Sequence, residues 1–405
     1  MQLRLLCGAL ALLFTGLLPG AARAADATLV LDWETQAIDT IEALPRPRQS
    51  RAGVLVDLAM FNALNAIEPR YRSYGPTLEP SPQALPEAAV AAAVWGVLSA
   101  EPQANHAKLG RSYSEAIAKL PEGAARNAGV ALGQRAAAAL LTLRAADSFD
   151  RVDAPIPAAA AGLFQPIPGR KMPFRIDPNP ARPFGVARFE VFDVDPPPAP
   201  DSAQASTELS EVKRLGARDG GSRNADQTAA ALFWNSGEAK DELEMFKPLI
   251  LARQWSALET ARFLALASMA DADARVIGGQ LKLRYRHWRP LTALRSEFTP
   301  AEQRDAAWEP LIRTPIDPDH PSGFGLYAGT SEVVLGMLKP ATLSRFNSAT
   351  SQTRNWPSID ALAGEMAESR IWAGVHFRSS VAAGRRLGRQ IAEEVFATQL
   401  QPLPK

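Results

Sequence analysis

Cysteine is almost missing from this chain: among 405 residues there is one, Cys7. It lies inside an N-terminal apolar stretch, so the rest of the chain has no thiol and can form no disulfide. Stability then has to come from a buried core, and about 380 residues can bury a large one. Histidine is scarce too, with four in all, so the position of each is informative. No charge dominates: 44 Lys and Arg stand against 43 Asp and Glu, a formal net charge of +1. With no basic tail or stripe, nucleic acid is excluded as a partner on electrostatic grounds. Long apolar runs are absent beyond the N-terminus, so no membrane span is expected in the mature chain. The composition, 46% hydrophobic and 21% charged, is that of a soluble globular protein.

The N-terminus carries what the remainder lacks. Arg4 supplies a positive charge. "LLCGALALLFTGLL" is apolar but short for a membrane span. "AARA", ending at Ala24, places small residues where a signal peptidase would cut. Residues 1–24 are read as a secretory signal, which implies a periplasmic or extracellular protein. The alternative is an uncleaved anchor helix.

Helical periodicity dominates the chain beyond Ala24. "SRAGVLVDLAMFNALNAIEPRYRSYG" ends near Pro69. "LPEAAVAAAVWGVLSAE" carries proline in its first turn, and "NAGVALGQRAAAALLTLRAAD" is amphipathic. These define an N-terminal helical half, residues 25–150. Between Val152 and Pro200 stand twelve prolines. This segment, residues 151–203, is too long and irregular for an ordinary connection. It also contains several phenylalanines, and is read as a crossover wrapped on the surface. Helical patterning resumes in "AQASTELSEVKRLGA", "NADQTAAALFWNSG", the long "SALETARFLALASMADADARVIGGQLKLRY", "PSIDALAGEMAES" with Ser358 as N-cap, and "SSVAAGRRLGRQIAEEVFATQ". Residues 204–405 form the C-terminal half. The expected class is all-α, built of helical bundles. An oligomer is compatible with this pattern.

Three short stretches hold the candidate chemistry. In "KLRYRHWRP", Lys282 and Arg289 are seven apart, nearly one helix face, with Pro290 expected to stop the helix at Arg289. The competing reading is a solvated basic face shared with Arg284 and Arg286. In "SRIWAGVHFRSS", Arg370 and His376 would lie about 240° apart on an unbroken helix. Gly374 offers a break that lets them converge; otherwise they are a surface arginine and a core histidine. In "DPDHPSGFG", Pro321, Ser322 and Gly323 read as a turn opening a helix. The free amides of such an N-terminus and a serine hydroxyl make an oxyanion site. Two forked guanidinium donors and one ammonium suit a tetrahedral oxyanion.

In order and spacing the set resembles the signature of the type 2 phosphatidic acid phosphatase (PAP2) and vanadium haloperoxidase superfamily. Its parts are Lys282, six residues, Arg289-Pro290; then Pro321-Ser322-Gly323; then Ser369-Arg370, five residues, His376. "AMFNALNAIEPRYRSY", "EVKRLGARDGGSRNADQTAAALFW" and "ALASMADADARVIGGQLKLRYRHWRPLTALR" are similar to the soluble bacterial vanadium-dependent haloperoxidase branch. The likeness spans roughly Gly53 to Val395. It implies a two-bundle fold in which Lys282, Arg289 and Arg370 hold the oxygens of vanadate or phosphate. Ser322 and the Gly323 amide complete the cradle. His376 bonds the central atom, as vanadium ligand or as phosphorus nucleophile. The implied cofactor is vanadate for a peroxidase acting on peroxide and halide, and none for a phosphatase acting on a phosphate ester.

Two positions depart from the pattern. Phe324 stands where the family usually has the histidine that transfers protons, a function worth about 10²–10⁴-fold in rate. Ser380 stands where it often has an acid that orients a histidine. His320 could take over the lost histidine, oriented by Asp317 or Asp319, or it could simply pack. His287 reads as packing and His106 as a polar-loop residue. Asp271 and Asp273 read as helix salt bridges, with Arg275 at i,i+4 from Asp271. Three functions are compatible with these residues: haloperoxidase, acid phosphatase through a phosphohistidine, and non-catalytic phosphate binder.

Overall fold

The computed structural model describes residues 26–44, 46–102, 106–147, 152–153, 158–167, 175–176, 182–236 and 239–404. The signal segment with Cys7, and part of the proline-rich crossover, lie outside the described residues.

In chain order the helices are α1 (Ala27–Ile41), α2 (Arg46–Ile67), α3 (Pro86–Leu98), α4 (His106–Ala118) and α5 (Ala124–Leu143). After the crossover come α6 (Ala203–Gly216), α7 (Ala225–Phe233), α8 (Ala239–Ala252), α9 (Ala257–Tyr285) and α10 (Pro290–Arg295). The chain ends with α11 (Gly323–Leu338), α12 (Ile359–Trp372) and α13 (Arg378–Thr398). Strands are minor: a two-residue pair, β1 (Val152–Asp153) with β2 (Arg175–Ile176), and a hairpin of β3 (Leu343–Asn347) with β4 (Gln352–Trp356). The expected all-α class holds. The hairpin was not expected, because its inward positions include Arg345 and Asn347, which hide the period of two.

Sequence chemistry explains the element boundaries. Pro86 occupies the first turn of α3, where its missing N–H costs nothing. Ser256 and Glu259 form a reciprocal capping box that opens α9, and Asn224 with Gln227 does the same for α7. Ser358 caps α12, its hydroxyl accepting from the Ala361 amide at 3.1 Å. Alanine-rich α3 is buried nearly all round, against α1, α2, α4 and α5; a helix apolar on every face belongs in such a position.

The 29-residue α9 ties the molecule together. It packs on α1 and α2 of the N-terminal half and on α11 and α13 of the C-terminal half. The two halves therefore share one continuous core. Helices α11 and α13 approach so closely that a Cβ at Gly384 would collide with the Ser322 carbonyl. That contact sets the start of α11 against the first turns of α13.

Residues 182–195 of the crossover are fastened rather than loose. Asp273, fully buried in α9, accepts the amides of Phe184, Gly185 and Val186 at 2.5, 2.7 and 2.8 Å. This corrects the reading of Asp273 as a helix salt bridge; Asp271 does make the expected one, at 2.6 Å to Arg275. Arg144 donates to Pro183 O at 3.1 Å and lies 3.8 Å over the Phe184 ring. Tyr285 donates to Val194 O at 2.6 Å. The crossover thus lies along the C-terminal end of α9, where the first candidate motif begins. His106 opens α4 with Nε2 2.8 Å from Glu101 O, so it belongs to a helix start rather than a polar loop.

Candidate active site

Lys282 lies in the last turn of α9. The helix stops at Tyr285, and Arg286 takes a left-handed conformation (φ 46°). Pro290 therefore opens α10 instead of closing α9, with Arg289 as its N-cap. Lys282 and Arg289 do converge, but through this turn and not along one helix face. Both reach the segment Asp317–Asp319. Lys282 Nζ donates to Pro318 O at 2.5 Å and Asp319 O at 3.3 Å, and is 3.1 Å from Asp317 Oδ2. Arg289 donates through Nε to Asp317 O at 2.8 Å and through Nη2 to Asp317 Oδ1 at 2.7 Å. Its Nη1 donates to Val375 O at 2.8 Å and lies 2.9 Å from His376 Nε2.

The middle motif is the turn into α11. Ser322 is its N-cap, and its Oγ accepts from the Gly325 amide at 3.1 Å. The His320–Pro321 peptide is cis. Ser322 N donates to Ser380 O at 2.9 Å. Gly323 is exposed, and the space its Cβ would occupy is open, with no atom within 4 Å. Its amide thus stands at an accessible helix N-terminus.

The third motif spans the gap between α12 and α13. Arg370 is in the last turn of α12, which stops at Trp372. Gly374 takes φ +77°, and Val375 N closes back on Arg370 O. This is the break that brings His376 back toward the cage. Arg370 is buried, donates through Nε to Ser369 Oγ at 3.0 Å, and has its CZ 4.2 Å over the Phe324 ring. Its Nη2 is buried with no hydrogen-bond partner among the described residues.

Charges follow from this geometry. Burial, with no counter-charge, pulls Arg370 down to about 9, so it stays cationic at neutral pH. Burial also lowers Lys282, opposed by Asp317. Burial and then the Arg289 charge lower His376 to about 3, which leaves a neutral imidazole. Partial desolvation raises Asp317, but Lys282 and Arg289 outweigh it and hold the carboxyl well below its usual range.

Asp319 was legible only as a partner for His320. It is wholly buried, and its Oδ1 lies 2.9 Å from His376 Nδ1. Its other oxygen is 3.8 Å from His287 Nδ1. Ser380 donates to the Asp319 carbonyl at 2.7 Å, and so holds the backbone of the carboxylate that faces His376. Of the two readings for His320, the geometry supports packing. It is buried, its Nε2 is 3.0 Å from Asp195 O, and its ring meets Tyr285 edge-on at 5.2 Å. Phe324 forms an aromatic wall with Trp234 and Tyr327 beneath Arg370.

Known proteins share this arrangement at the level of fold. Residues 262–403 match a family model described as the VCPO second helical-bundle domain. That interval contains every cage residue. The crystal structure of a bacterial vanadium-dependent iodoperoxidase aligns with TM-score 0.75 and 21% identity, over 94% of this chain and 98% of that one. A bacterial vanadium-dependent chloroperoxidase aligns in its apo form (TM-score 0.66, 15% identity, 86% and 92% covered) and its holo form (0.67, 14%, 91% and 92%). A search of curated protein sequences finds no match. The chain has the all-α fold of these vanadium haloperoxidases, and its C-terminal bundle matches the model of the VCPO second helical-bundle domain.

The residues fit an oxyanion such as vanadate. Lys282 and Arg289 hold the Asp317 carboxylate as an anion, while the buried Arg370 Nη2 and the open helix N-terminus at Gly323 are donors without acceptors among the described residues.

Proposed function

We propose that this protein is an exported enzyme that binds vanadate and oxidises a halide with hydrogen peroxide. The observation that carries the reading is the buried Arg370, with a free Nη2 and no counter-charge among the described residues. A buried charge left unpaired is costly, and an oxyanion is the partner that its forked donors suit best. Lys282, Arg289 and Arg370 would hold the vanadate oxygens. Ser322 and the Gly323 amide would complete the cradle, and His376 would bond the central atom. Bound vanadate supplies Lewis acidity toward peroxide. The chain's own residues keep His376 neutral by burial, face its Nδ1 with Asp319, and line the Arg370 side with the rings of Phe324, Trp234 and Tyr327. Arg4, the apolar run and the small residues ending at Ala24 support export.

Phosphate-ester hydrolysis would use the same cage with His376 as nucleophile, but it requires a proton donor for the leaving group. Phe324 cannot supply one, and His320 is engaged with Asp195 O, which favours the peroxidase reading. The test is reconstitution of the purified protein with orthovanadate, followed by peroxide-dependent oxidation of iodide and bromide. Vanadate-dependent turnover that disappears in His376→Ala is expected. Oxyanion binding without halide oxidation, but with a phosphohistidine trapped from a generic phosphate ester, would favour the phosphatase. Binding with neither activity would leave a non-catalytic oxyanion binder.

A further inference from the structure

We propose that Asp317 is a specificity-determining residue of the cage: its carboxylate occupies an anion position between Lys282 and Arg289 and makes the site prefer singly charged tetrahedral oxyanions to doubly charged ones. The inference rests on the oxyanion-binding reading above and deepens it.

The donors already in use carry the argument. An ammonium has three donors, and Lys282 Nζ has three acceptors around it: Asp317 Oδ2, Pro318 O and Asp319 O. Arg289 spends Nε and Nη2 on Asp317, and Nη1 on Val375 O and the His376 ring. Apart from the buried His376 imidazole and the Asp317 carboxylate, these acceptors are backbone carbonyls. The Asp317 carboxylate is the half-exposed one, and it can swing into solvent without unmaking the turn. Arg289 Nε grips the Asp317 carbonyl, so the residue stays tethered even when its carboxylate swings out.

Exposure fits this role. The Asp317 side chain is 47% exposed, against 9% for Lys282 and 1% for Arg289. Asp317 therefore covers the two cations from solvent. An incoming anion finds Arg370 Nη2 and the open Gly323 end free, and reaches Lys282 and Arg289 only in exchange for this carboxylate.

Charge then sets the preference. Lys282, Arg289 and Arg370 are offset by Asp317 and Asp319, and His376 is neutral. One net positive charge remains across these groups. A monoanion balances it. A dianion leaves an excess negative charge beside a tethered carboxylate, and like charges at such distances in a partly desolvated site cost roughly ten-fold or more in affinity.

The experiment is isothermal titration of the full mature protein, prepared without vanadate, at neutral pH. The probes are perrhenate, a tetrahedral monoanion, and sulfate, a tetrahedral dianion, each with wild type, Asp317→Asn and Asp317→Glu. Comparing variants against wild type for each anion cancels the size difference between the probes. Asp317→Asn is expected to raise sulfate affinity at least about ten-fold and perrhenate affinity by about three-fold or less. Asp317→Glu, which keeps the charge, should retain the wild-type ratio. Equal gains for both anions, or none, overturn the proposal while leaving the cage intact. No binding of either anion to any of the three proteins overturns the cage reading itself and this inference with it. Circular dichroism of each variant establishes that the fold is kept.

Discussion

Asp319 Oδ1 lies 2.9 Å from His376 Nδ1, with both side chains buried in the C-terminal bundle. The negative charge there favours a proton on Nδ1 and a lone pair on Nε2, which faces Arg289 Nη1 at 2.9 Å and would have to exchange that contact to act as ligand or nucleophile. Asp319→Asn keeps the shape and removes the charge. Vanadate affinity or turnover is expected to fall about 10–100-fold, as for other partners that orient a ligating histidine. The ¹⁵N shifts of His376 in the vanadate-free variant should show a changed tautomer balance. Unchanged shifts together with unchanged affinity would mean that Asp319 does not orient His376.

Phe324 supports Arg370. The guanidinium sits 4.2 Å over its ring, a contact worth about 0.5–2 kcal/mol when desolvated. Phe324→Ala should weaken oxyanion binding by about 3- to 30-fold, because Arg370 loses its platform. Phe324→His keeps a flat ring and adds a proton donor at the position usual in the superfamily; halide oxidation should rise in the vanadate-loaded variant. Titration and steady-state assay of the two variants separate the roles. A His variant no faster than wild type would show that proton transfer at this position does not limit the rate.

The candidate residues came from the resemblance that the Lys282–Arg289, Pro321–Gly323 and Arg370–His376 intervals carry together, since the first and third alone favoured an ordinary surface or core reading. Gly374 was identifiable as the break that turns the third pair. What stayed hidden depended on side-chain direction. Asp319 and His320 are neighbours in an irregular stretch, where no periodicity fixes the direction of successive side chains. One faces His376 and the other faces Asp195 and Tyr285. Adjacency had suggested that they act together. Asp271 and Asp273, two apart on a helix, likewise lie on different faces: the first pairs with Arg275 at the surface and the second reaches inward to the crossover. The β3–β4 hairpin was concealed by Arg345 and Asn347 facing in, where Asn347 donates to Phe233 O at 2.7 Å. The helices were legible because their apolar periodicity and caps are local; the two carboxylate roles depend on contacts between distant parts of the chain, and the hairpin on polar side chains turned inward.

Asp273 fastens the crossover by taking three backbone amides on one carboxylate. Hydrogen bonds to a charged acceptor contribute about 1.5–3 kcal/mol each, and buried amides left without a partner add to the loss. Asp273→Asn, with one acceptor oxygen in place of two, should destabilise the protein by roughly 2–4 kcal/mol. Urea unfolding measures the loss. Limited proteolysis should show faster cleavage within residues 182–195 than in wild type. A variant with wild-type stability and wild-type cleavage would show that the crossover is held by its other contacts, such as Arg144 and Tyr285.

His320 makes stability depend on pH with a defined sign. Burial lowers its pKa from 6.5 to about 4, so the folded protein resists a proton that the unfolded chain accepts. Between those two values the unfolded state binds more protons. The stabilising contribution is therefore complete above about pH 6.5 and is lost as the pH falls toward 4. The shift corresponds to a difference on the order of 3 kcal/mol across that window. His320→Phe removes the titration and keeps a ring against Tyr285. At pH 7 it should lose about 1 kcal/mol with the contact to Asp195 O, and its stability should fall less steeply than wild type between pH 6.5 and 4.5. The contribution of His376 is common to both proteins and cancels in the comparison. Guanidinium unfolding at several pH values reads the slopes, and parallel slopes would sink the assignment. Vanadate affinity should stay within about three-fold of wild type, since packing does not touch the anion; a collapse of turnover in His320→Phe at unchanged stability would instead place His320 in proton transfer.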